Sequence, residues 1–315
     1  MSRVIIAGHK NPDNDAVSSA VALAYLKNQI AARKKEADPE AEVDEFVPVA
    51  LGPLPAETAW NLDECGIPQP EIIDHVEPGQ PMILVDHNES KQAVDGLAEA
   101  NVIEVVDHHR IGDFTTASPL YYTARPWGST ATIVTTQFKR ADVEITPAMA
   151  RVLLSAILTD TVILKSPTTT PHDVRQVELL APIAGVDPVE FGQQLFKCRG
   201  GEADLPIEKF VEGDAKEFEV AGKTVLISQH ETVDLEGAMD REDEARAYMK
   251  KLLDEKGYGF VLLFVTDILK EGSNFVVEGD HATIDRVFGI DSSKTVWMDG
   301  IMSRKKQVAA PLLQA

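Results

Sequence analysis

Apolar residues come first in a short run at residues 4–7, which gives way to Gly8-His9-Lys10-Asn11-Pro12-Asp13-Asn14-Asp15. A β-branched run followed by Gly, Asn, Pro and Asp predicts a buried strand entering a polar loop. From Ala16 to about Lys34, Val17, Ala20, Val21, Leu23 and Ala24 recur at helical spacing, so the loop opens onto a helix N-terminus. Further apolar runs at residues 46–50, 82–85 and 102–106 alternate with helix-like segments around residues 56–65 and 90–100. Strands alternating with helices predict a parallel sheet. Residues 34–45 carry charge without an apolar face and read as a solvated connection.

Residues 128–140 and 146–158 read as two helices, the second with Thr146 as N-cap and Pro147 in its first turn. Helices at 171–184 and 188–198 follow, after which residues 199–206 lapse into small, polar and Pro residues, the best boundary in the chain. Beyond it, strand-like runs at 218–220, 224–229, 260–266 and 274–277 surround a helical segment at 242–256. The fold class expected is α/β: a larger N-terminal domain, residues 1–199, with a mainly parallel sheet flanked by helices, a linker at 200–206, and a smaller α/β domain at 207–315. No internal repeat or low-complexity tract interrupts it.

Composition sharpens this picture. At 315 residues the chain suits two domains, and 44% hydrophobic with 26% charged residues is a globular balance. Its 30 basic and 51 acidic side chains, net −21, would repel a polyanion and make nucleic acid a poor partner. Only Cys65 and Cys198 occur, which excludes a disulfide framework or a four-cysteine zinc site and fits reducing surroundings. No stretch approaches the length needed to span a bilayer, so no membrane association and a cytoplasmic location are expected.

The chemistry lies where apolar strands end. Residues 4–7 lead to His9, Asp13 and Asp15; residues 82–85 to Asp86-His87-Asn88; residues 102–106 to Asp107-His108-His109. Asp160 in Thr159-Asp160-Thr161 adds a fourth contribution from a helix end. Strand carboxyl ends of an open parallel sheet share one edge, so these side chains converge. Any one Asp or His alone would more simply be a cap or a polar packing residue; four coincident cases point to a site. So many carboxylates and imidazoles require a counter-charge, and mixed O and N donors suit two divalent ions about 3.5–4 Å apart. The mixture favours manganese over calcium, and the expected reaction is hydrolysis of a phosphoanhydride or phosphoester. Such chemistry needs opposing cations, for which Ser303-Arg304-Lys305-Lys306-Gln307 and Lys216 are the candidates.

In combination and order these motifs, together with Lys165-Ser166-Pro167-Thr168-Thr169-Thr170, resemble the family II inorganic pyrophosphatases of the DHH phosphoesterase superfamily across nearly the whole chain. The resemblance implies a DHH-type domain followed by a DHHA2-type domain, with the site between them, and two Mn2+ ions, for which Co2+ can substitute. It implies His9 and Asp13 on one ion, Asp15, His108 and Asp160 on the other, Asp86 shared, and a bridging hydroxide as nucleophile. His109 would contact substrate phosphate and assist proton transfer, while Lys216, Arg304 and Lys305 would bind pyrophosphate; Asp107 and His87 would support the ligands. Substrate would arrive with Mg2+, and the larger domain would form a homodimer. Asn14 and Ala16 depart from the usual Thr and Ser, and the length leaves no room for inserted nucleotide-binding modules. Competing readings are an exopolyphosphatase, a DHH-type oligonucleotide or cyclic-dinucleotide phosphodiesterase, and an inactive metal- and phosphate-binding protein.

Overall fold

A computed structural model describes residues 2–116 and 118–314, which fall into two compact units, Met1–Arg199 and Gly200–Ala315. The first unit runs β1 (Arg3–Lys10), α1 (Asn14–Ala37), β2 (Glu45–Leu51), α2 (Ala56–Glu64), β3 (Glu71–Ile72), β4 (Pro81–Val85), β5 (Asn101–Asp107) and β6 (Tyr121–Ala124). It ends in four helices, α3 (Thr130–Arg140), α4 (Pro147–Asp160), α5 (Pro171–Ala184) and α6 (Pro188–Cys198). The six strands pair in the order β3-β2-β1-β4-β5-β6, every pair parallel. The chain leaves β1 to build β2 on one side and returns to build β4 on the other. The crevice outside the carboxyl ends of β1 and β4 is therefore a topological switch point.

Local chemistry sets the helix starts. Asp13 caps α1 by accepting from Ala16 N at 2.9 Å, so the helix begins at Asn14, two residues before the apolar periodicity that announced it. That shift puts Asp15 in the first turn. Thr146 caps α4 with Pro147 behind it, and Thr170 with Asp173 forms a reciprocal capping box on α5. Residues 90–100 correct the helical expectation: they form two single 3-10 turns, Ser90–Gln92 and Leu97–Glu99. Gly96 between them is left-handed at φ 86, and Asp95 bridges to His75, so the segment follows the sheet edge and buries the adjacent Ala93 and Val94.

The second unit comprises α7 (Ile207–Glu212), β7 (Ala215–Val220), β8 (Lys223–Thr232), α8 (Leu235–Met239), α9 (Glu242–Lys256), β9 (Phe260–Asp267), β10 (Gly272–Gly279), α10 (His281–Phe288) and β11 (Val296–Asp299). A π-helical turn, Arg304–Ala309, and a short α11 (Ala310–Leu312) close the chain. Its five-stranded sheet, β11-β10-β9-β8-β7, is antiparallel except for β8 with β9. Alternate residues serve two cores: Ile227, Leu262 and Phe264 pack with Ile284, Val308 and Leu312, whereas Leu226, Val261 and Leu263 pack with Phe210, Met249 and Leu252. Covered on both faces, β9 is buried along all its residues. Among the described residues no helix is long and apolar enough to cross a membrane.

Candidate metal centre

At the end of β1 the His9 ring donates through Nδ1 to its neighbour's carbonyl, Lys10 O, at 2.9 Å. That bond leaves Nε2 outward, 3.6 Å from Asp13 Oδ1 and 3.6 Å from Asp86 Oδ2. Asp86 follows β4 in the left-handed region at φ 62, its N–H held by Val106 O at 3.0 Å, which turns a fully buried carboxylate back over the sheet edge. After β5, His108 Nδ1 donates to Trp127 O at 2.9 Å and directs Nε2 to 3.3 Å from Asp86 Oδ1 and 3.8 Å from Asp160 Oδ2. His109 Nδ1 donates to Asp107 Oδ1 at 3.0 Å and leaves half of its side chain exposed.

Among the described residues three sets of donor atoms converge within 4.8 Å of one another: His9, Asp13 and Asp86; Asp15, His108 and Asp160; and Asp86, His108 and His109. Asp86 belongs to two of them. Its Oδ1 accepts from Thr130 Oγ1 at 2.9 Å, whereas Oδ2 is buried without a hydrogen-bond partner among the described residues. A buried, unpartnered carboxylate oxygen is costly in a folded protein and marks where a cation belongs. The donors are oxygens and imidazole nitrogens with no thiolate, which suits a manganese-type ion. The residues present thus fit the metal implied by their pattern.

The electrostatics point the same way. Burial would lower the pKa of His9, but the adjacent Asp13 carboxylate, the Lys10 carbonyl and the field of Asp86 raise it to about 9. Burial likewise opposes protonation of His108, yet Asp86, Asp15 and the Trp127 carbonyl carry it to about 10. Asp86 rises to about 7, through burial and the charge of Asp15 and against the pull of His108. Asp160 stands well above the usual carboxylate range through burial and its neighbours Asp15, Asp86 and Asp13. The metal-free cluster therefore holds protons where divalent charge would sit.

Supporting residues surround the ligands, among them Thr130, Ala131 and Asp173, which the sequence pattern did not single out. The N-terminus of α3 pins Asp15: Thr130 N donates to Oδ2 at 2.6 Å and Ala131 N to Oδ1 at 3.0 Å. Asp173, fully buried, accepts from Gly128 N at 2.9 Å and Thr132 Oγ1 at 2.6 Å, joining the start of α5 to the start of α3. Asn14 donates to Ser155 and Thr159 and accepts from Ser18 and Thr58, so α1, α2 and α4 meet on one amide. Asn88 donates to Asp107, the carboxylate that orients His109. His87 is buried, its pKa lowered to about 4 by that burial, and its Nδ1 donates to Val85 O while Nε2 has no hydrogen-bond partner among the described residues. Beside the centre a cavity of about 290 Å³ is lined by Asp13 and Asp160 and by the Glu57–Arg199 ion pair at 2.6 Å. The readable signals for Thr130 and Asp173 were Gly128-Ser129-Thr130, a Ser opening a helix after a Gly, and the Thr-x-x-Asp capping pattern at Thr170–Asp173.

The cations lie in the second unit. Lys216 is exposed on the edge strand β7, and Lys305 is exposed in the π-helical turn. The Arg304 guanidinium donates to Asp214 O and lies 2.7 Å from Asp214 Oδ1.

Residues 3–157 match the DHH family, N-terminal domain, and residues 193–315 match the DHHA2 domain. An Archaeoglobus fulgidus protein named "Probable manganese-dependent inorganic pyrophosphatase" is 42% identical, over 99% of this chain and 98% of its own length. The Bacillus subtilis protein named manganese-dependent inorganic pyrophosphatase is 38% identical, over 100% of this chain and 99% of its own. A crystal structure from Methanococcus jannaschii, titled provisionally as a family II inorganic pyrophosphatase, superposes with TM-score 0.58 at 36% identity, covering 99% of this chain and 98% of that one. With a DHH and a DHHA2 domain in this order and full-length relatives at this identity, the chain belongs to the manganese-dependent, family II inorganic pyrophosphatases.

Proposed function

We propose that this chain hydrolyses inorganic pyrophosphate to two phosphates at a centre of two divalent ions. His9 and Asp13 hold one ion, Asp15, His108 and Asp160 the other, and Asp86 is shared. The observation that carries the reading is the position of Asp86, buried and common to two donor sets, with one oxygen unpartnered. Mn2+ is the metal assigned, with Co2+ as substitute. Two such ions supply a nucleophile from water at neutral pH and neutralise phosphoryl oxygens.

The remaining roles follow from the side chains. Asp107 fixes Nδ1 of His109 and raises its pKa, so the exposed Nε2–H donates to a phosphoryl oxygen and assists proton transfer. Lys216, Arg304 and Lys305 bind the peripheral oxygens, whose charge must be neutralised during phosphoryl transfer. Mg2+ accompanies the substrate. A homodimer through the first unit is supported by its edge strand β6, which exposes Tyr121 and Tyr122. A cytoplasmic location is supported by two free thiols, Cys65 and Cys198.

Turnover with Mn2+, read as phosphate from pyrophosphate and tripolyphosphate and as mononucleotide from a dinucleotide, tests the reading. Release from pyrophosphate well above the other two is expected. Faster release from tripolyphosphate would make the chain an exopolyphosphatase, mononucleotide from the dinucleotide alone a phosphodiesterase, and no product from any of the three an inactive binding protein.

A further inference from the structure

We infer that Gln229 is a positioning residue for the substrate cations, acting through Arg304; this rests on the reading of Arg304 and Lys305 as phosphate ligands. Gln229 lies on β8, 8% exposed, with its amide facing the segment that carries Ser303-Arg304-Lys305. Oε1 accepts from Arg304 N at 3.3 Å, and Nε2 donates to Met302 O at 3.1 Å and to Thr266 Oγ1 at 3.1 Å. A main-chain N–H can only donate and a carbonyl can only accept, so the amide has one orientation. It brackets Ser303 as a neighbouring strand would.

The same residue reaches the other end of Arg304. Gln229 N donates to Asp214 O at 3.1 Å, and that carbonyl also accepts from the Arg304 guanidinium. Main chain and side chain of Arg304 are thus both referenced to residue 229. Behind the amide the hydroxyls continue in one direction: Thr266 Oγ1 lies 2.9 Å from Ser273 Oγ, which donates to Ile301 O at 2.6 Å. Thr266 and Ser273 are fully buried. Gln307 completes the frame, accepting from Met302 N at 3.0 Å and donating to Gly300 O at 2.7 Å.

The carbonyls of residues 300, 301 and 302 are therefore all held by side chains, in a segment between β11 and the π-helical turn that lacks strand pairing of its own. Connecting segments move unless they are tied down, and a group that must meet phosphoryl oxygens loses effect when displaced by about 1 Å. Neither a carboxylate nor a thioether reproduces the arrangement. Gln229→Glu keeps the shape but loses both donors and faces Met302 O with negative charge; Gln229→Met keeps the volume and loses donor and acceptor together.

The test is a double-variant cycle read by kinetics. KM and kcat for pyrophosphate, Mn2+ affinity and melting temperature are measured for the wild type, Gln229→Met, Arg304→Ala and the pair. Expected is a KM raised on the order of ten- to a hundredfold in Gln229→Met, unchanged Mn2+ affinity, and no further loss when the substitution is added to Arg304→Ala. Thr266→Val, which removes only the hydroxyl behind the amide, gives a smaller rise that also disappears in the Arg304→Ala background, and serves if Gln229→Met does not fold. Effects that add in full to Arg304→Ala, or a lowered melting temperature with unchanged KM, would overturn the inference. If Arg304→Ala itself leaves KM unmoved, the clamp reading fails and the inference with it; if Arg304→Ala raises KM while Gln229→Met is silent, only the inference fails.

Discussion

Adding Mn2+ to chelator-stripped protein at pH 7 should expel protons, and the structure sets the number. In the metal-free cluster His9 has a pKa of about 9 and His108 of about 10, so both rings are protonated at pH 7. An imidazole nitrogen must be free of its proton to bind a metal, so filling the centre displaces one proton from each ring. Asp86 and Asp160, both raised by burial and neighbouring carboxylates, add to this count. At least two protons per filled centre are therefore expected. The sign follows directly. Raising the pH through 9 and 10 removes the ring protons beforehand, so release declines and affinity levels off. Lowering the pH lets protons compete, and affinity falls by about a hundredfold per pH unit where two protons are exchanged. Calorimetric titrations at pH 7 in buffers of different protonation enthalpy give the count as the slope of observed against buffer enthalpy. A slope near zero would refute the assignment of His9 and His108 as protonated groups displaced by metal.

Four substitutions probe other parts of the account. Gly8→Ala would place a Cβ 2.6 Å from Ala16 Cβ and 2.7 Å from Ala16 O, and because main chain cannot yield cheaply the fold should lose roughly 1–3 kcal/mol in denaturant unfolding. Asp173→Ala strips the acceptor from Gly128 N, Thr132 Oγ1, Thr170 N and Thr170 Oγ1, all buried or part-buried; unfolding should show a loss of about 3 kcal/mol or more, with weaker Mn2+ binding as the start of α3 loosens. Asp86→Asn should lower kcat by orders of magnitude, whereas Lys305→Ala should chiefly raise KM. Equal and mild effects of the last two would contradict the roles given to a shared ligand and a substrate cation.

Much of the centre was legible because its residues sit at the ends of short apolar runs, and a parallel sheet aligns those ends without further information. That rule brings His9, Asp86 and His108 together from three strands. Asp160 was legible as the end of an apolar helix, α4. Less legible was how each side chain is aimed. Asp86 turns inward through a left-handed backbone at φ 62, and Val162, Ile163 and Leu164 beyond Asp160 lie at φ 48, 53 and 64, conformations that β-branched and bulky residues seldom adopt and no local pattern announces. The pins on Asp15 come from main-chain N–H groups of Thr130 and Ala131, which every sequence possesses. Residues 90–100 misled in the opposite way, since Ala93, Val94 and Leu97 have helical spacing while Gly96 breaks the turn between them. Gln229 is silent in sequence because its partners, Met302 and Arg304, lie more than seventy residues away.

The most direct test of two ions acting together on pyrophosphate is a stoichiometric titration of chelator-stripped protein with Mn2+, following bound metal and phosphate release on the same samples. Release should stay near zero while the first ion binds, rise with the second, and saturate at two ions per chain. Full activity at one ion per chain, or two bound ions with no release from pyrophosphate, would contradict it.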